Sequence, residues 1–178
     1  MRPAILLDRD GTIIVDKVYL NDLNKIEYMP NAFEGLRKFR DLEFLLIVVT
    51  NQSGVARGIV PIEVLYAIHA KIRSDLSKHG ITIAGFYYAQ ASVDSNDPMR
   101  KPGAGMLLAA ATDFGLDLRR CYMIGDRDTD VLAGRAANTK TIYLDHTFPK
   151  PPNLKPDFSC VDLLAAAEWV ESQKKTTL

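Results

Sequence analysis

"AILLDRDGTI", residues 4–13, drives an apolar run straight into a pair of acids, Asp8 and Asp10, followed by Gly11 and Thr12. A short run that is apolar at every position reads as a strand covered on both faces. The two carboxylates then stand where that strand emerges. Taken by itself, the stretch also reads as a turn, since Asp and Gly favour turns. As the start of a calcium loop it lacks the closing glutamate, because Tyr19 occupies that place.

Working outward, similar runs recur at 44–50 ("FLLIVVT"), 85–89 ("GFYYA"), 121–125 ("CYMIG") and 141–145 ("TIYLD"). Helical patterns fill the intervals at 31–41, 61–79, 104–114, 128–137 and 160–173. Pro30-Asn31 and Pro61 serve as helix entries, and Gly80 and Gly115 as stops. Val64, Leu65, Ile68, Ile72 and Leu76 form one apolar stripe on the second helix. The alternation predicts an α/β fold, a doubly wound, mainly parallel Rossmann-like sheet with helices on both faces. Residues 1–178 are expected to form one domain. The intervals leave no room for a large cap domain. The proline-rich "HTFPKPPNLKPD" (146–157) reads as a surface loop before the last helix, and "SQKKTTL" (172–178) as a frayed tail.

Lys plus Arg and Asp plus Glu balance at 22 each, so the composition offers no reason to expect nucleic acid or a membrane surface as a partner. The chain is 47% hydrophobic and 25% charged, as in ordinary globular proteins. It shows no secretory pattern at its start and no run long enough to span a bilayer. Cys121 and Cys160 have apolar neighbours and belong to no C-x-x-C pair, as expected of buried thiols in a reducing, cytoplasmic setting. No heptad or long apolar stripe calls for an oligomer, so a monomer is expected.

Ligands in open α/β sheets gather outside the carboxyl ends of the strands. Those ends carry Asp8, Thr50-Asn51 and Gly125-Asp126, while Lys101 stands just before Pro102 and the third long helix. Each has an ordinary structural explanation singly; their order along the chain favours a shared rim. These are the parts for phosphoryl transfer through a carboxylate: a nucleophile, a second acid, cationic groups and hydroxyl donors for phosphate oxygens. Asp8 and Asp126 are hard oxygen donors that suit Mg²⁺.

The ordered set Asp8-x-Asp10-Gly11-Thr12, Thr50, Lys101 and Gly125-Asp126-x-x-x-Asp130 resembles the haloacid dehalogenase (HAD) superfamily of phosphatases, over residues 4 to 145. The resemblance implies Asp8 as nucleophile and metal ligand, and Asp10 as general acid/base that ligates the metal through its carbonyl. It makes Thr50 and Lys101 phosphate binders and Asp126 a metal ligand. Asp130 would orient the site or cap the helix that follows. A receiver domain uses similar residues, but takes its phosphate after the third strand, where "GFYYAQ" has no acid.

"TNQSGVARG" (50–58), "VDKVY" (15–19), "RKPGAGML" (100–107) and "MIGDRDTD" (123–130) are similar to the heptose-bisphosphate phosphatase branch, which serves bacterial surface-glycan synthesis. Histidinol-phosphate phosphatases are the alternative, and a non-catalytic phosphosugar binder a distant third. The expected substrate is a small phosphorylated sugar. The resemblance assigns Asp16, Tyr19, Asn51, Gln52 and Ser53 to substrate binding. Arg57, Arg100 and Arg127 are available for a second, non-reacting phosphate. Both branches usually carry a zinc loop before the Arg-Lys-Pro. Here Ala89, Ala91, Asp97 and Met99 replace its ligands, so no zinc is expected and residues 90–99 must hold Arg100 and Lys101 by their own turns.

Overall fold

Every residue of the first strand, β1 (Ala4–Leu7), is fully buried, with Ala4 and Leu6 facing one side and Ile5 and Leu7 the other. In a computed structural model of the chain, which describes residues 1–146 and 148–176, this strand lies inside a six-stranded parallel sheet. The others are β2 (Leu45–Asn51), β3 (Ile83–Ala89), β4 (Tyr122–Gly125), β5 (Lys140–Leu144) and β6 (Phe158–Cys160). Their spatial order is β3-β2-β1-β4-β5-β6.

The helices are α1 (Ala32–Asp41), α2 (Ser53–Ala56), α3 (Ile62–Lys78), α4 (Gly105–Phe114), α5 (Asp128–Ala136) and α6 (Leu163–Thr176). Strand residues alternate between two apolar clusters, as a period of two requires. Ile5, Leu7, Leu46, Val48 and Ile124 pack against α1, α3 and α6. Ala4, Leu6, Ile47, Val49 and Met123 pack against α4 and α5. The expected doubly wound fold is therefore present, and no cap domain is inserted among the described residues. Cys121 and Cys160 are both buried and free. Among the described residues, no helix is long and apolar enough to cross a membrane.

The boundaries differ most at the end of the chain. The helix expected at 160–173 begins only at Leu163, because Phe158–Cys160 pairs with β5 in register Ile142↔Phe158 to Leu144↔Cys160. The tail expected to fray is helical through Thr176, where Lys175 pairs with Glu171 at 3.3 Å. Residues 177–178 of that tail, and Thr147 of the proline-rich loop, lie outside the described residues. The helix stops come out as read: Gly115 caps α4 at φ +62°, and Gly80 follows α3 at φ +71°.

Candidate active site

The chain moves from β1 to β2 and β3 on one side, then returns to place β4 on the other side of β1. Strand order thus reverses between β1 and β4, which opens a crevice at their carboxyl ends. Asp8 follows β1 there, anchored by its N–H to the Ile124 carbonyl at 2.9 Å. Asp126 follows β4, and Thr50 is buried near the end of β2.

Lys101 enters from the loop before α4 and is 2% exposed. Its Nζ donates to Asp8 Oδ1 at 2.9 Å and to the Val49 carbonyl at 2.8 Å, and stands 2.6 Å from Asp130 Oδ1. Burial works against the ammonium charge, but Asp130 and Asp8 outweigh it and push the Lys101 pKa up. Asn51 fixes the lysine backbone: its Nδ2 donates to Lys101 O at 2.9 Å, and its Oδ1 accepts from Lys101 N at 3.0 Å. Both polar atoms of Asn51 are thereby engaged with the chain itself. Residues 90–99 close by turns of their own, with Met99 N on Asp97 Oδ1 at 2.8 Å and Arg100 N on Asp97 O at 3.0 Å.

One oxygen from each of Asp8, Asp126 and Asp130 lies within 4.8 Å of the others. Asp130 also accepts from the Arg127 N–H at 3.0 Å and so closes the first turn of α5. Asp126 is fully buried, and both of its carboxylate oxygens lack a partner. Burial, then the charges of Asp8 and Asp130, push its pKa up to about 8. Crowded buried carboxylates with free lone pairs demand a cation, and an all-oxygen donor set suits a hard divalent one. Two glycines permit this crowding. A Cβ at Gly11, where φ is +75°, would overlap the Asp126 carboxylate, and one at Gly125 would overlap that of Asp130.

Asp10 does not join that cluster through its side chain. Its carboxylate takes Arg9 Nη2 at 2.8 Å and Gln52 Nε2 at 2.8 Å, both on Oδ2. Gln52 Nε2 also reaches Thr50 Oγ1 at 2.9 Å. Burial, against the pull of Arg9, raises the Asp10 pKa. A cavity of about 420 Å³ joins these groups to Asp16, Tyr19, Asn51, Gln52, Ser53, Arg100 and Arg127. Arg57 does not line it, but its guanidinium lies 5.9 Å over the ring of Tyr19, which does. Burial and then the neighbouring Arg57 charge lower the Arg100 pKa. Arg127 is already engaged, donating to Asp16 Oδ2 at 3.0 Å and lying 3.7 Å above the Phe148 ring.

Two residues at this site escape a motif-based reading. Arg9 is 1% exposed, and His69 of α3 is 6% exposed and bonded to it. The available signals were a basic residue between two acids and a histidine inside the apolar stripe of α3.

Known proteins match this arrangement. A family model for HAD-hydrolase-like proteins matches residues 98–166. The chain is 33% identical over 175 residues to the D-glycero-beta-D-manno-heptose-1,7-bisphosphate 7-phosphatase of Yersinia pestis, covering 94% of this chain and 89% of that one. The enzyme of the same name from Escherichia coli K12 is 36% identical over 152 residues, 82% of this chain and 80% of that one. The crystal structure of D,D-heptose 1,7-bisphosphate phosphatase from B. bronchiseptica, complexed with magnesium and phosphate, superposes with a TM-score of 0.84. It is 25% identical, over 97% of this chain and 99% of that one. The buried carboxylates at the strand-order reversal and the kinship along nearly the whole chain lead to one conclusion: this protein belongs to the HAD-like hydrolases related to the heptose-bisphosphate phosphatases, and is a phosphoric monoester hydrolase.

Proposed function

We propose that the chain removes the 7-phosphate of D-glycero-D-manno-heptose 1,7-bisphosphate through a phosphoryl group carried on Asp8. One observation carries the reading: a single cavity is lined by the buried Asp8–Lys101–Asp130 cluster and by Arg100, with Arg57 packed over Tyr19 of the same lining. A bisphosphate needs both ends: one phosphate reacts, and the other is held by arginine. The like charges of Arg57 and Arg100, with no carboxylate bonded to either guanidinium among the described contacts, leave room for an anion between them.

An oxygen of Asp8 attacks phosphorus as the bond from phosphorus to the sugar oxygen breaks, and Asp10 gives the departing oxygen its proton. A water then attacks the acyl phosphate, Asp10 takes a proton from it, and the bond from phosphorus to Asp8 breaks to release phosphate. Lys101 neutralises the phosphoryl oxygens, and the Thr50 hydroxyl donates to one of them. Asp8 and Asp126, with the Asp10 carbonyl, would hold Mg²⁺, whose charge offsets the repulsion between carboxylate and phosphate. Asp130 braces Lys101.

A phosphate-release screen over both anomers of the heptose bisphosphate, histidinol phosphate and fructose 1,6-bisphosphate tests the substrate. A preference for histidinol phosphate would overturn it. Asp8→Asn tests the chemistry: the fold should persist by circular dichroism while turnover vanishes. Turnover retained by that variant, free of contaminating phosphatase, would remove Asp8 as nucleophile.

A further inference from the structure

Arg9 is among the largest fully buried side chains in the protein, yet phosphoryl transfer as outlined gives it no part. Each of its three guanidinium nitrogens has a partner. Nε donates to Asp10 Oδ1 at 3.2 Å, and Nη2 to Asp10 Oδ1 at 3.1 Å and Oδ2 at 2.8 Å. Nη2 also reaches Gln52 Oε1 at 3.0 Å, and Nη1 reaches His69 Nε2 at 3.2 Å. Arginine can only donate, so His69 Nε2 must be the acceptor and the ring must be neutral. The His69 ring is itself fixed, stacked on Phe86 with centroids 4.6 Å apart. A chain of contacts therefore runs from the aromatic wall of α3 and β3, through His69 and Arg9, to both oxygens of Asp10.

We propose that Arg9, held by His69, is the positioning residue for Asp10. It aims the Asp10 carboxyl group at the departing oxygen and stabilises the carboxylate left once the proton has gone. That carboxylate is the form that must accept a proton from water in the second step, so one clamp serves both half-reactions. The planar fork of arginine fits a carboxylate at two points, which a lysine ammonium cannot reproduce. A charged group this deeply buried is expensive unless it is paired and bonded, and Asp10, Gln52 and the imidazole supply the acceptors.

The inference rests on Asp10 being the proton donor, and the test separates the two ideas. Donation matters for an alkyl ester, whose alkoxide leaves poorly. It matters little for p-nitrophenyl phosphate, whose phenolate leaves without a proton. The value of kcat/KM reports steps up to release of the alcohol, so it isolates the first half-reaction. With the heptose bisphosphate, Arg9→Met should lower kcat/KM by about 10²-fold, the range associated with loss of general acid catalysis. The loss with p-nitrophenyl phosphate should be at least about tenfold smaller. Arg9→Lys should recover part of the alkyl-ester activity. His69→Phe, which keeps an aromatic ring on Phe86 but removes the acceptor, should show the same selectivity at smaller amplitude. It also serves if Arg9→Met does not fold.

Equal losses on the two esters in Arg9→Met or His69→Phe, or no loss on either, would overturn the proposal. Asp10→Asn sets the reference. If it shows the ester selectivity while the Arg9 and His69 variants do not, Asp10 stands as the acid and the clamp is refuted. If it falls equally on both esters, the reading of Asp10 fails, and the clamp with it.

Discussion

Asp126→Asn should make the metal-free protein more stable while removing its response to Mg²⁺. The Asp126 carboxyl group is fully buried, its pKa is pushed up to about 8 by burial, Asp8 and Asp130, and neither oxygen has a partner. An acid with a raised folded pKa contributes stability that is complete below its unfolded pKa, 3.8, and is lost as pH rises towards 8. At pH 7 the gap from the unfolded value is about three units, and at 1.36 kcal/mol per unit this is about 4 kcal/mol. Asparagine has the same shape and carries no charge. For a chain of this size each kcal/mol moves Tm by about 2–4 °C, so the variant should melt about 8–16 °C higher in EDTA at pH 7. The advantage should shrink as pH falls to 4. Thermal melts of both proteins, from pH 4 to 8 with EDTA or with Mg²⁺, measure it. Added Mg²⁺ should raise the wild-type Tm and leave the variant nearly unmoved, since a ligand stabilises only the state that binds it. A variant that melts below the wild type in EDTA at pH 7, or that gains as much from Mg²⁺, would refute a cation-demanding carboxylate cluster.

Other positions give sharp expectations. Gly125→Ala puts a Cβ into the Asp130 carboxylate, so overpacking should cost about 1–3 kcal/mol, and phosphate release should fall with the loss of the brace on Lys101; an unchanged melting curve would contradict this. Arg57→Met and Arg100→Met each remove a charged donor expected to bind the second phosphate, worth about 1.5–3 kcal/mol. Steady-state kinetics should show KM for the heptose bisphosphate rising about tenfold or more, with little change for the 7-monophosphate. Equal effects on the two substrates would place these arginines elsewhere in recognition.

Much of the site was legible before folding. Asp8, Thr50 and Asp126 each end an apolar strand, and a strand is recognisable from a few consecutive residues. The last strand was not legible in that way. Phe158–Cys160 carries little apolar pattern of its own and is a strand because β5 offers it an unpaired edge. The partners of Lys101 were equally hidden. Its lysine nitrogen meets Asp8 from 93 positions away, and Asp130, read as a helix cap or orienting group, bonds both the Arg127 N–H and that ammonium. Asn51, expected to bind substrate, lines the cavity, and nothing in the sequence signalled that both atoms of its amide also hold the Lys101 backbone.

By itself, then, the chain's order of residues determined which segments become five of the six strands and the five longer helices, and that acids stand at the strands' carboxyl ends. Burial of side chains is a local, periodic property, so it is written in consecutive residues. Only the tertiary structure decided which acids share a cation-demanding cluster, that Arg9 bonds Asp10 on one side and a neutral His69 on the other, and that Arg57 stands near Arg100. Those contacts depend on strand order and register, and on charges that tolerate burial only when their partners arrive from distant parts of the chain.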